Sequence, residues 1–158
     1  MLQSAPLLAV GALDAQKRPW TTVWGGEPGF SRPLGGGMVG VKTRVDRKCD
    51  PVIQALVGKG DDGEVVREEG RGRMVGGLTI DLASRKRVKL FGRMVAGALG
   101  RVGQDGGMDD GAGEVQLVVR IEQSLGEWVL KLGSETDADR SLERQLSEIS
   151  EQEGYTAR

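Results

Sequence analysis

Residues Leu7–Phe30 read LLAVGALDAQKRPWTTVWGGEPGF. An apolar run, Leu7 to Leu13, meets a six-residue turn that begins with Asp14 and ends with Pro19. A second extended run, Trp20-Thr21-Thr22-Val23-Trp24, follows at once. Both runs are too short for typical helices, and the second is β-branched and aromatic. The pattern predicts a β-hairpin with a loop slightly longer than the tightest turns. Gly25-Gly26 and Pro28-Gly29 then stop the second strand.

Working outward, Ser31 to Gly37 reads as a loop and Met38 to Val45 as a third strand. Asp50-Pro51 opens a short helix, with Asp as cap, Pro in the first turn, and Val52, Ile53, Leu56 and Val57 on one face. Gly58 and Gly60 end it. Lys59 to Gly72 is charged and aperiodic, a loop with at most a frayed strand. Met74 to Leu82 and Arg85 to Ala96 read as strands joined by a turn, and Gly97 to Gly113 as a Gly/Asp-rich loop. Glu114 to Ser124 alternates clearly, with Val115, Leu117, Val119 and Ile121 on one face. Five or six antiparallel strands with one short helix predict a mainly β fold, a small barrel. The expected core is Val10, Leu13, Val23, Leu78, Ile80, Leu117, Val119 and Ile121.

After Gly126 the character changes, so the chain divides into a barrel over 1–126 and a divergent polar tail over 127–158. Within the tail, Thr136 to Gln152 has helical spacing with a narrow apolar stripe, Leu142, Leu146 and Ile149. From Glu135 to Glu153 seven acids face two arginines. The tail is expected to be peripheral to fold and function.

The composition sets limits. The chain has 158 residues, enough for one domain with a single core. Its net charge is −1, which argues against a general polyanion binder. It has no histidine, so the commonest general base and zinc ligand are missing. One cysteine, Cys49, allows no intrachain disulfide and fits a reducing compartment. Without a histidine to activate it, Cys49 reads as a buried or incidental thiol. No apolar run reaches the roughly 18–20 residues of a membrane span. The expectation is a soluble, cytoplasmic protein with no membrane role. The 26 glycines punctuate apolar segments, as the turns of an all-β chain require.

Two groups of residues could carry chemistry. Arg85, Arg87 and Lys89 share one face of a strand, because residues two apart point the same way. Three cations there make a phosphate cradle, or else a solvated basic face balanced by acidic loops. Trp20 and Trp24 share a face of their strand and fit core or dimer packing. Arg18 lies in the turn, with a structural or interfacial role.

The hairpin with LDA, RPW and GGEPGF resembles the opening of the FMN-binding split-barrel proteins related to pyridoxamine 5'-phosphate oxidase, and within them a fungal subgroup. Gly76 to Asp81 with Ser84 to Arg93, and Val115 to Gly126 (VQLVVRIEQSLG), resemble two further blocks of that family in the same order. Relatives usually carry helical sequence before the first strand, so the resemblance implies a chain truncated there. They also follow the last strand with a segment like Asn-Cys-Pro-Lys-Tyr, where this chain has Glu127 to Gly133, EWVLKLG.

The resemblance implies a split barrel that binds FMN, a flavin-dependent oxidoreductase activity and a homodimer with the flavin at its interface. It implies FMN contacts at Arg85, Arg87 and Lys89, along the main chain of Thr22, Val23, Trp24 and Gly25, and at Lys42 and Thr43. Thr21 or Thr22 would offer a hydroxyl to the phosphate. No catalytic acid or base is identified, and no metal is expected. Two alternatives stand beside this reading. One is a basic-strand module for nucleic acid, disfavoured by the slightly acidic charge and the few aromatics. The other is a non-catalytic barrel that has lost its flavin.

Overall fold

The computed structural model describes residues 2–58, 62–68, 70–83, 85–102 and 111–125. Among these residues eight strands and one helix follow in chain order: β1 (Leu7–Leu13), β2 (Pro19–Gly25), β3 (Ser31–Gly35), β4 (Met38–Asp46), α1 (Pro51–Leu56), β5 (Val66–Arg67), β6 (Met74–Ile80), β7 (Arg87–Arg101) and β8 (Ala112–Leu125). All pairings are antiparallel, in the order β2-β1-β6-β7-β8-β4-β3, with β5 on the side of β7. The sheet curls until β2 returns to β4. There the Thr43 hydroxyl donates to the Gly25 carbonyl, and no strand ladder among the described residues closes the gap. The fold is therefore a small split barrel, mainly β, with one short helix. No helix among the described residues is long and apolar enough to cross a membrane. The expected tail helix over 136–152 lies outside the described residues.

The hairpin forms where expected. Asp14 organises its loop: the carboxylate accepts from the Gln16 and Arg18 amides at 2.9 Å each, from Arg18 Nε at 2.7 Å and from Trp20 Nε1 at 3.0 Å. Lys17 takes φ 62° to complete the turn, a left-handed conformation that costs a non-glycine residue roughly 1–2 kcal/mol. Glu27-Pro28-Gly29-Phe30 is a tight turn closed by the Phe30 amide on the Glu27 carbonyl, 3.0 Å. Gly29 sits there at φ 96°, the third-position geometry that asks for glycine after proline.

Helix α1 plugs one end of the barrel. Asp50 caps it through Oδ1, which accepts from the Val52 and Ile53 amides at 2.9 and 3.2 Å. Arg73 Nη1 donates to the carbonyls of Ala55 and Leu56 at 3.2 and 2.6 Å, satisfying the helix's other end. Val52, Ile53 and Leu56 are fully buried against the inward residues Leu8, Val10, Trp24, Val41, Leu117 and Val119.

Several expectations need correction. Ser31–Gly35 is a strand, because its backbone pairs with β4 even though Pro33 and Gly35 dilute its propensity. Strand β7 runs to Arg101, five residues beyond the expected Ala96. Its Ala96-Gly97-Ala98 stretch looks weak as strand but is small for a packing reason. A Cβ on Gly97 would lie 2.7 Å from Leu117 Cδ2 and 3.4 Å from Val57 Cγ2.

Leu13 and Val23 are exposed, at 38% and 61%. Both point to the outer face of the sheet, where Val23 lies in register with Ala9 and Ala9 with Leu78. Leu78 and Ile80 are half-buried on that same outer face, and Thr79 between them points inward and is fully buried. Val10, Leu117 and Val119 are buried core, and Ile121 packs against it. Trp24 is buried, whereas Trp20 is 40% exposed over the hairpin loop, with the Arg18 guanidinium 5.9 Å from its ring. Cys49 is an exposed free thiol rather than a buried one.

Candidate functional site

The turn at Glu27–Phe30 and the end of β2 stand over β4 and β8 and enclose an open groove of about 630 Å³. Gly25 to Phe30 form one wall, and Arg32, Gly40, Lys42, Thr43, Arg44, Glu114 and Gln116 form the floor and far side. A volume of this order is usual for small-molecule sites. Gly26 permits the wall's tight packing, since a Cβ there would lie 2.7 Å from the Cβ of Phe30.

The groove's chemistry follows from how its groups are already used. The amides of Gly26, Gly29 and Phe30 bond to the carbonyls of Pro6, Gln3 and Glu27, so the glycine-rich wall offers no anion nest through them. The Thr43 hydroxyl donates to Gly25. An anion in the groove must therefore be held by side-chain cations. Lys42 Nζ lies 3.1 Å from Glu114 Oε1. Arg44 lies two residues further along β4, on the same exposed face, and meets no carboxylate among the described residues. Arg32 brings a third cation, against Glu27 and Glu114. Three cations against two carboxylates suit a phosphate ester, with Arg44 able to offer two parallel N–H bonds.

The sequence-derived residues divide between this groove and another place. Gly25, Lys42 and Thr43 come together in the groove. Thr22 and Trp24 point toward the barrel side of β2, and Trp24 Nε1 donates to Asp50 Oδ2 at 2.9 Å. Val23, Arg87 and Lys89 lie on the outer face, and Arg85 in the turn before β7, at φ 56°. In register, Arg87 faces Ile80, Ile80 faces Leu7, and Leu7 faces Gly25. Three strand spacings, about 14 Å along the sheet, separate Arg87 from the groove's edge.

Besides Arg32, the sequence reading missed the groove cation Arg44. The signal that would find it is its spacing from Lys42, since strand residues two apart share a face. Among the described residues, no group of three or more His, Cys, Asp or Glu side chains gathers to hold a metal. In the hairpin loop beside the barrel, the indole of Trp20, with the Arg18 amide and guanidinium, pulls the Asp14 carboxyl down to about 2 from the ordinary aspartate value. That carboxylate is committed to the loop.

No protein-family model and no curated protein matches the chain. Similar solved structures exist. One is a protein related to general stress protein 26, of the pyridoxinephosphate oxidase family, from Clostridium acetobutylicum. It is 13% identical over 82% of this chain and 84% of that one, with a TM-score of 0.40. Another is HutZ, the heme storage protein from Vibrio cholerae, 13% identical over 78% of this chain and 87% of that one, with a TM-score of 0.43. At these values the likenesses carry no argument about what this chain binds.

Proposed function

We propose that this protein binds a flavin nucleotide, FMN, with the phosphate held in the groove between the Gly25–Phe30 wall and strands β4 and β8. The observation that carries this reading is the convergence of Gly25, Lys42 and Thr43 in one groove that also holds Arg44, which forms no ion pair among the described residues. These three residues were singled out by the resemblance of the chain's motifs to flavin-binding split-barrel proteins. In the reading, Arg44 and Lys42 take the phosphate, Thr43 holds the Gly25 carbonyl in place, and the main chain of β2 runs beside the ring. A bound flavin would supply hydride and electron transfer, which makes the protein a flavin-dependent oxidoreductase. The chain's own part is to anchor and orient it.

Arg44→Ala is expected to weaken FMN by roughly 1.5–3 kcal/mol, the usual loss for a hydrogen bond to a charged group, and to leave riboflavin unchanged. Flavin fluorescence titration reads both affinities. Equal losses for the two ligands would remove the phosphate from this groove. Loss in Arg87→Ala but not in Arg44→Ala would move it to the outer-face cations.

We also infer a homodimer through the outer face of β2-β1-β6-β7. Leu7, Ala9, Leu78 and Ile80 are only half-buried there, Val23 is exposed, and β2 is an edge strand. A row of this kind seeks cover. Light scattering should give the mass of two chains for the native protein and of one for Val23→Asp. A native single chain, or a dimer that Val23→Asp leaves intact, rules the interface out.

A further inference from the structure

A second basic cleft, of about 440 Å³, lies where the Gly70–Gly72 turn meets β7 and β8. Arg93 and Arg120 are direct cross-strand partners in the β7–β8 ladder. Like charges in that position are destabilising unless something compensates them. Glu122 compensates Arg93 alone: Arg93 Nε lies 2.9 Å from its Oε1, and Arg93 Nη1 donates to the Gly72 carbonyl at 3.3 Å. Glu68, the other carboxylate lining the cleft, is bound by Arg73 at 2.8 Å. Arg71 and Arg120 are exposed and meet no carboxylate among the described residues. Three guanidiniums thus face the cleft, with one acid paired to Arg93 and the other held from outside by Arg73.

The backbone around these arginines is closely fitted. Gly72 sits at φ 69°, and a Cβ on it would lie 2.3 Å from the Met94 carbonyl oxygen. At the bulge between Phe91 and Gly92, a Cβ on Gly92 would lie 2.0 Å from the Arg120 carbonyl oxygen. The turn and both strands are pressed together, so the arginines project from a constrained frame.

We propose that this cleft is a second anion site, which takes a phosphate-type oxyanion through Arg71, Arg93 and Arg120. It shares no residue with the first groove. On β8 alone, Gln116 of the first groove and Arg120 of the second stand four residues apart, about 13 Å. Buried Met38 and Val118, with Leu34 and Val95 against them, pack between the two. The ligand chemistry is that of a phosphoryl group, either free phosphate or a phosphate monoester.

The test is an amide chemical-shift titration of the full chain with inorganic phosphate and, separately, with phenyl phosphate. Shifts at Gly70, Arg71, Gly72 and Arg120 are expected, with affinity roughly tenfold lower in Arg120→Ala and in Arg71→Ala. Arg44→Ala should leave those shifts in place. Response to both probes assigns the site to the phosphoryl group, and response to inorganic phosphate alone assigns it to the free ion. No shift at these amides with either probe, or unchanged affinity in both arginine variants, overturns the proposal. Arg71 lies in a turn, so its variant keeps the test open if Arg120→Ala does not fold. FMN affinity, measured on Arg71→Ala and Arg120→Ala, should not change, which keeps this outcome separate from the fate of the first groove.

Discussion

Asp50→Ala is expected to destabilise the protein by about 2–4 kcal/mol. The carboxylate does two jobs with two oxygens. Oδ1 caps α1 through the Val52 and Ile53 amides, and Oδ2 accepts from the buried indole of Trp24, 26 residues away in sequence. Loss of an N-cap typically costs about 1 kcal/mol, and a buried donor left without a partner adds about 1–3 kcal/mol. The change would therefore loosen the helix plug and the β2 wall together. Asn at this position should recover only part of the loss. Its single oxygen can serve the helix or the indole, and its amide would face the indole N–H as a second donor. Urea denaturation of the native protein and both variants reads the effect. A loss under about 1 kcal/mol for Asp50→Ala would mean that the helix and β2 are held by apolar packing alone.

Leu117→Ala should cost about 2–5 kcal/mol, the range for a fully buried leucine whose site collapses only in part. Leu117 is 1% exposed at the barrel centre, beside a small void of about 30 Å³ that already lacks filling atoms. Leu78→Ala is the control. Its side chain is half-buried on the outer face, so it should lose roughly half the burial term or less, about 1 kcal/mol. Equal losses at the two positions would mean that the outer face is as buried as the core, as a tightly covered dimer face would be. Denaturation midpoints with unchanged slopes check the comparison.

The contrast between Leu117 and Leu78 shows where sequence reading stops. In β8 the inward residues Val115, Leu117 and Val119 alternate with Glu114, Gln116, Val118 and Arg120, three of them polar, so polarity identifies the core face. In β6 the two faces read Val75-Gly77-Thr79 and Gly76-Leu78-Ile80, and local hydrophobicity favours the second. The register with β1 decides the other way. Gly77 pairs with the inward Val10, and Leu78 pairs with the outward Ala9. Thr79 is accommodated inside because its hydroxyl accepts from the Val88 amide, 3.3 Å away.

Local chemistry determined the elements whose causes lie within a few residues. Asp14 and its loop make the hairpin, Pro28-Gly29 makes the turn, and Asp50-Pro51 starts α1. Each is a short-range bond or a backbone preference, so neighbours in sequence suffice. Placement across the barrel was decided only by tertiary structure. Curling of the sheet carries Gly25 to Thr43 and sets Lys42 and Arg44 under the Gly25–Phe30 wall. The same curling leaves Arg87 and Lys89 three strands away, although the sequence offers all of these cations on equal terms. Register and curvature depend on how two faces of a whole sheet share the available burial, and that balance is a property of the assembled barrel rather than of any one strand.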